Sequence, residues 1–241
     1  MLKPELEQTL VLFKPDALKQ SLTGYLFTLL SEFHTDLRYA ATKIVTVHDM
    51  LAQEHYAEHK GKPFFPSLLQ YISGQSHYPD EVWKRRVIAL VYQGVDAVQK
   101  IRAIAGPTDP LVAREKKPGC IRALGARIPV RDANGTVIDE RMDNLIHASA
   151  SIPEAEREVK LWFKPYDIPA GMRAFAIEEC DTHYYYLNNK LYTEHIPNSV
   201  CIMAPSDAAW RSDLQALRLL LKGEPAECSL AAVVAKYLIN A

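Results

Sequence analysis

Thr9-Leu-Val-Leu-Phe13, cut off by Lys14-Pro15-Asp16, is an unbroken apolar run that stops at a cation and a proline. A short, continuous apolar run reads as a strand buried on both faces, and the proline cannot continue a ladder, so the strand ends with Lys14 at its mouth. Outward from there, Ala17 to Phe33 has the apolar spacing of a helix, and Tyr39 to Val47 reads as a second strand. Asp49 to His59 is expected as a helix capped by its aspartate, and Arg86 to Tyr92 as another buried strand. Val95 to Ala105 is a helix closed by the turn Gly106-Pro107-Thr108-Asp109-Pro110. Pro153 to Phe163 is a helix with proline in its first turn and glutamates near its positive end. This order suits an α+β fold: a ferredoxin-like βαββαβ antiparallel sheet with helices on one face.

At 241 residues and 48% apolar, the chain can build one large core or two modest ones. The formal net charge of -1 leaves no global basic footprint, so specific nucleic-acid binding is not expected, and affinity for anions must come from locally gathered Lys and Arg. The opening Met1-Leu-Lys-Pro-Glu-Leu-Glu7 lacks the pattern of a leader peptide, and no apolar run approaches the roughly 20 residues that span a bilayer. A cytoplasmic protein without membrane contact is the expectation. Cys120, Cys180, Cys201 and Cys228 form no Cys-x-x-Cys pair and are expected as reduced thiols, a Cys180–Cys201 bridge being the alternative.

The chemistry concentrates in Asn144-Leu-Ile-His147-Ala-Ser149, downstream of Lys117-Pro-Gly-Cys-Ile-Arg122. A neutral imidazole is a nucleophile near neutral pH when a partner holds its other ring nitrogen, which makes His147 a candidate phosphoryl acceptor. Lys14, Arg102 and Arg122 stand at strand ends or near Gly/Pro turns, positions from which they can converge on one anion. His55 and His59 are four apart on an expected helix, but no third ligand follows, and an exposed polar face accounts for them.

Lys14-Pro15-Asp16, Tyr56, Pro63-Phe64-Phe65-Pro66, Arg102, the turn carrying Thr108, Arg122, Asn144, His147 and Glu158 before Leu161-Trp162-Phe163 resemble, in this order, the nucleoside diphosphate kinase family over about residues 8–166. The resemblance implies transfer of the γ-phosphate of a nucleoside triphosphate to a nucleoside diphosphate through a phosphohistidine at His147, with Mg²⁺ carried by the nucleotide phosphates and not by protein ligands. It also implies that Glu158 orients the ring and Ser149 holds that carboxylate. Arg102, Thr108 and Arg122 would hold phosphates, and Lys14 would reach the transferring phosphate and ribose. Asn144 would contact a sugar hydroxyl, Tyr56 would hydrogen-bond near the phosphohistidine, and Phe64 would stack on the base while Phe65 packs inside. Stacking tolerates any base, so broad specificity is expected. A homo-oligomer, at least dimeric, is implied too.

The chain departs from the family in several places. Ala148 and Ala150 stand where glycine and an acid are common, and Glu140-Arg141-Met142-Asp143 replaces a Val-Gly-Arg type of run before Asn144. Two stretches look inserted: about 75–85, with a short helix expected at Pro79 to Arg86, and about 125–140, where Asn134-Gly135 signals a hairpin beside the site. Residues 1–165 are expected as the kinase-like domain and 166–241 as an unmatched α+β extension. Strands are expected in the extension at Ala174–Ile177, Tyr184–Leu187, Leu191–Glu194 and Val200–Met203, and helices at Ser206–Leu221, capped by Ser206, and Ser229–Ile239. Rival readings are a nucleotide-binding or assembly protein without catalysis, and a histidine-phosphate carrier that passes phosphate to a protein.

Overall fold

The computed structural model describes residues 6–132 and 134–240, so most of the opening segment read above for a leader lies outside them. In chain order the elements are β1 (Glu7–Phe13), α1 (Pro15–Lys19), α2 (Thr23–Leu29), α3 (Glu32–Thr35), β2 (Arg38–Val45), α4 (Asp49–His55), α5 (Phe65–Ile72), β3 (Val87–Gly94), α6 (Ala97–Ala105), α7 (Pro110–Lys116), β4 (Ala126–Arg131), β5 (Val137–Asp143), β6 (Ile146–Ala148) and α8 (Ile152–Trp162). Then follow β7 (Ile177–Glu179), β8 (Tyr184–Leu187), β9 (Lys190–Tyr192), β10 (Val200–Met203), β11 (Ala208–Trp210), α9 (Arg211–Leu221) and α10 (Leu230–Ala235). The main sheet runs β2-β3-β1-β6 with every neighbouring pair antiparallel, the ferredoxin-like order.

Helices cover both faces of this sheet, not one. Leu10 and Leu12 of β1 and Ala89 and Val91 of β3 pack with Leu51 of α4 and Val159 of α8. The alternate residues Val11, Phe13, Leu90 and Tyr92 pack with Leu26 of α2 and Ile101 of α6. Both central strands are apolar at nearly every position, and side chains alternate across a sheet, so each face needs a cover.

Several local expectations change. The helix expected over 17–33 is three short helices, because the chain turns through Ser21 at φ 58° and Leu22 N–H bonds back to Ala17 O at 3.0 Å. His48, not Asp49, caps α4, its Nδ1 accepting from Leu51 N–H at 3.3 Å. Ser206 does not cap α9; it turns at φ 74°, and β11 intervenes before the helix begins at Arg211. The first insertion carries a single 3-10 turn, Val82–Lys84. The second is a ribbon of β4 and β5, whose turn is closed by Asp132 Oδ1 accepting from Asn134 and Thr136 N–H at 2.9 Å each.

The last seventy-odd residues build on the same core. Trp210 and Ala235 are buried with α8 and β1, and Trp210 Nε1–H donates to Phe163 O at 2.8 Å. Asn188 and Asn189, at φ 49° and 60°, turn the β8–β9 hairpin as a pair of left-handed residues. Lys236 Nζ and Asp213 Oδ2 form a buried pair at 2.9 Å, the lysine also donating to Val233 O at 3.0 Å. Removing one member of such a pair strands the other charge. Lys236→Met is therefore predicted to destabilise the chain by about 3–5 kcal/mol in denaturant titration, and a loss under about 1 kcal/mol would contradict the burial.

Candidate active site

β1 and β6 lie side by side with Leu12 opposite His147, and β6 is short because it is squeezed between a strained turn and α8. Leu145 sits at φ 69°, unfavourable for a leucine, and its backbone is held on both sides. Its N–H donates to Asp16 Oδ2 at 2.8 Å and its carbonyl accepts from Lys14 N–H at 2.9 Å. Asn144 and His147, on either side of this turn, line the same cleft. Lys14 Nζ donates to Asn144 Oδ1 at 2.8 Å, Asn144 Nδ2 donates to Thr108 O at 2.9 Å, and Asn144 N–H donates to the Tyr71 hydroxyl at 3.2 Å.

His147 Nε2 lies 2.8 Å from Glu158 Oε2, which also accepts from Ser149 Oγ at 2.6 Å. Ser149 Oγ in turn accepts from Leu10 N–H at 3.1 Å, so the carboxylate is braced from β1. An ionised carboxylate only accepts hydrogen bonds, which puts the imidazole proton on Nε2 and leaves a lone pair on Nδ1. Burial by itself would raise the Glu158 pKa, but the charge and hydrogen bond of His147, with His55 and Ser149, outweigh it and hold the group at about 2. A folded-state pKa below the unfolded value contributes stability that is present above about pH 4.5 and lost as pH falls toward 2. Acid titration of Glu158→Gln is predicted to show a shallower loss of stability across that window than the parent; identical curves would refute the assignment.

Lys14, Arg102 and Arg122 line one cleft. Arg122, buried, donates through Nη1 to Gly106 O at 3.0 Å and to Thr108 Oγ1 at 3.5 Å, and through Nη2 to Ile146 O at 3.3 Å. Gly106 must be glycine: φ is +82° and an added Cβ would lie 2.1 Å from Cys120 Sγ. Burial, then repulsion from Arg102, lowers the Arg122 pKa to about 10. Burial, then Arg122, lowers Lys14 to about 7, against the opposing pull of Asp16 and Asp143. Two packed cations with lowered pKa values mark a pocket that a multiply charged anion would stabilise.

Lys14, Tyr56, Phe64, Arg102, Thr108, Arg122, Asn144, His147 and Glu158 all line one cleft of 540 Å³; Ser149 lies behind Glu158. Phe64 is exposed at its rim, whereas Phe65 packs onto the core. The Tyr56 hydroxyl is buried without a protein partner among the described residues.

Three groups beside the site were missed from the sequence. His55 is buried instead of lying on an exposed polar face: its ring packs edge-on to His147 at 4.5 Å and its Nδ1 accepts from Trp162 Nε1–H at 3.2 Å. Its adjacency to Tyr56 was the available signal. Asp16 and Tyr71, which fix the Asn144–Leu145 turn, carried no signal beyond Asp16 following Lys14-Pro15.

The sequence profile of the nucleoside diphosphate kinase family matches residues 7–168. The chain belongs to that family. A nucleoside diphosphate kinase of Pyrococcus furiosus is 38% identical over 165 residues, 68% of this chain and 87% of the relative. Among solved structures, the Aquifex aeolicus nucleoside diphosphate kinase matches with a TM-score of 0.54 and 30% identity, over 68% of this chain and 99% of its own. The Borrelia burgdorferi nucleoside-diphosphate kinase, a transition-state mimic with bound vanadate and ADP, matches with a TM-score of 0.52 and 27% identity, over 70% and 94% of the two chains. The chain is accordingly an enzyme, a phosphotransferase with nucleoside diphosphate kinase activity.

Kinases of this family work with a divalent metal. In this kinase, His55, His147 and Glu158 are the one group of three metal-capable side chains among the described residues, with ligand atoms within 4.8 Å of one another. Two of them already serve the histidine–glutamate hydrogen bond, and two nitrogens with one oxygen do not make a hard-cation cage. The carboxylates Glu58 and Glu154 also line the cleft, paired with His59 at 3.2 Å and with Arg157 at 3.4 Å. All four cysteines are free thiols, so no Cys180–Cys201 bridge forms. Among the described residues, no helix is long and apolar enough to cross a membrane.

Proposed function

We propose that this kinase moves the γ-phosphate of a nucleoside triphosphate to a nucleoside diphosphate in two half-reactions that share one site. His147 Nδ1 attacks the γ-phosphorus in line. The N–P bond forms as the bond to the β–γ bridging oxygen breaks, and the electron pair leaves with the diphosphate. Glu158 keeps its hydrogen bond to Nε2–H and offsets the positive charge that develops on the ring, while Ser149 holds that carboxylate. Lys14, Arg102, Arg122 and Thr108 surround the phosphoryl oxygens, where charge spreads in the transition state. Tyr56 offers its buried hydroxyl within the cleft that holds His147, Asn144 binds a sugar hydroxyl, and Phe64 stacks on the base. Mg²⁺ bound to the nucleotide supplies further neutralisation of phosphate charge. The second half-reaction reverses the first onto a new diphosphate.

The observation that carries this reading is the His147–Glu158–Ser149 chain, which fixes the tautomer of a partly exposed histidine inside a cation-lined cleft. A binding module would need no such nucleophile, and a protein carrier would need no base-sized slot, so neither rival is favoured. Residues 1–165 form the catalytic unit in this account. Residues 166–241 act as a docked extension that stiffens α8 through Trp210 and the partly buried helices α9 and α10. The free cysteines support a cytoplasmic location, and the kinase acts as a homo-oligomer. Initial rates at varied ATP and GDP with Mg²⁺ should give parallel double-reciprocal lines, the mark of a ping-pong reaction. Intersecting lines would mean that both nucleotides bind together and that no phosphoenzyme is formed.

A further inference from the structure

The ribbon inserted between Arg122 and Asn144 forms part of the wall of the nucleotide cleft, and its chemistry is not that of a neutral stacking slot. In its register, Asp139 pairs with Val130, Arg141 with Ile128 and Asp143 with Ala126, so Asp139, Arg141 and Asp143 share one face. That face is anchored at its base. Asp143 accepts from Arg141 Nε at 2.6 Å and Nη2 at 3.1 Å, and its Oδ2 lies 2.9 Å from Nε2 of His77, which the first insertion brings in. His77 and Asp143 are buried, so the fork is held from behind. The guanidinium is thus fixed in one orientation, and its Nη1 donors have no protein partner among the described residues. Asp139, exposed, lines the same cleft as Arg141, Phe64 and Leu68, and its Oδ1 accepts from the neighbouring Glu140 N–H at 2.8 Å, the one hydrogen bond to that carboxylate among the described residues.

We propose that Arg141 and Asp139 read the base by hydrogen bonds and give this kinase a preference for guanine nucleotides, a deepening that rests on the function proposed above. A fixed donor beside a free carboxylate complements guanine, whose edge carries the O6 acceptor next to the N1–H and 2-amino donors. Adenine and cytosine present an amino group toward Arg141, and uracil presents a second carbonyl toward Asp139. A stacked aromatic such as Phe64 accepts every base, so discrimination falls to the ribbon. Asp139 is exposed, so the selectivity rests chiefly on the Arg141 donors, fixed by Asp143 and left unpaired by the wrong base.

The test compares kcat/KM for GDP, IDP, ADP, CDP and UDP as acceptors with ATP as donor, beside labelling of the enzyme by γ-labelled ATP. GDP should exceed ADP, CDP and UDP by about tenfold or more, with IDP, which lacks the 2-amino group, in between. Asp139→Ala should collapse the GDP-to-IDP ratio toward one, and Arg141→Met the IDP-to-ADP ratio. Acceptors that differ by less than about threefold, or a preference that survives both substitutions, would overturn the inference. An enzyme that takes the label and passes it equally to every diphosphate fails this inference alone, whereas one that takes no label fails the phosphohistidine reading as well.

Discussion

His147→Ala is expected to lower kcat by roughly 10⁴-fold or more while the chain stays folded. The side chain is partly exposed, and among the described residues its one hydrogen bond is to Glu158, so its removal leaves no large cavity. What it does leave is a buried carboxylate whose lowered pKa depends chiefly on His147 as partner, so Glu158 should titrate upward in the variant. The loss should appear in both half-reactions, because the same nitrogen receives and returns the phosphoryl group. Circular dichroism and nucleotide binding should change little. A variant that kept even a hundredth of its turnover would point to direct transfer between nucleotides.

Lys14→Met is expected to cost roughly 10²–10³-fold in kcat, the usual effect of deleting one preorganised charge aimed at a transition state. Its pH signature is the sharper test. In the free cleft the Lys14 pKa is about 7, lowered by burial and then by Arg122. Above that pH the amine is largely neutral, and the arriving phosphates favour its charged form. Nucleotide binding at pH 8 should therefore take up close to one proton, and at pH 6 almost none, as read by calorimetry in buffers of different ionisation heat. For the free enzyme, kcat/KM should fall as pH rises through about 7, while kcat should hold to higher pH because bound phosphate raises the Lys14 pKa. Lys14→Met should abolish the uptake, and unchanged uptake would assign the proton to another group.

The parts of this molecule that a sequence shows are those its local pattern encodes. The apolar run into Lys14-Pro15 gave a strand and its end, and Pro153 with its glutamates gave α8 nearly to the residue. The Asn134-Gly135 signal gave the ribbon. Groups that act across the fold were hidden. His55 looked like a surface residue because nothing local says that α4 turns it toward Trp162 on α8. His77 carried no pattern, yet the fold brings it to 2.9 Å from Asp143, 66 residues along the chain. The covering of both sheet faces was present in the doubly buried strands but was overridden by an expectation of one-sided packing. The early breaks in the 17–33 segment depend on Ser21 adopting a left-handed conformation, which serine rarely does and which no propensity anticipates.

The most direct measurement is the covalent state of the enzyme itself. Wild type and His147→Ala would be incubated with γ-labelled ATP and Mg²⁺, freed of nucleotide, tested for acid-labile and base-stable label, and then given a nucleoside diphosphate. Near-stoichiometric label is expected on wild type alone, discharged completely as labelled triphosphate. Label that persists on His147→Ala, or wild type that binds nucleotide yet takes no label, would contradict it.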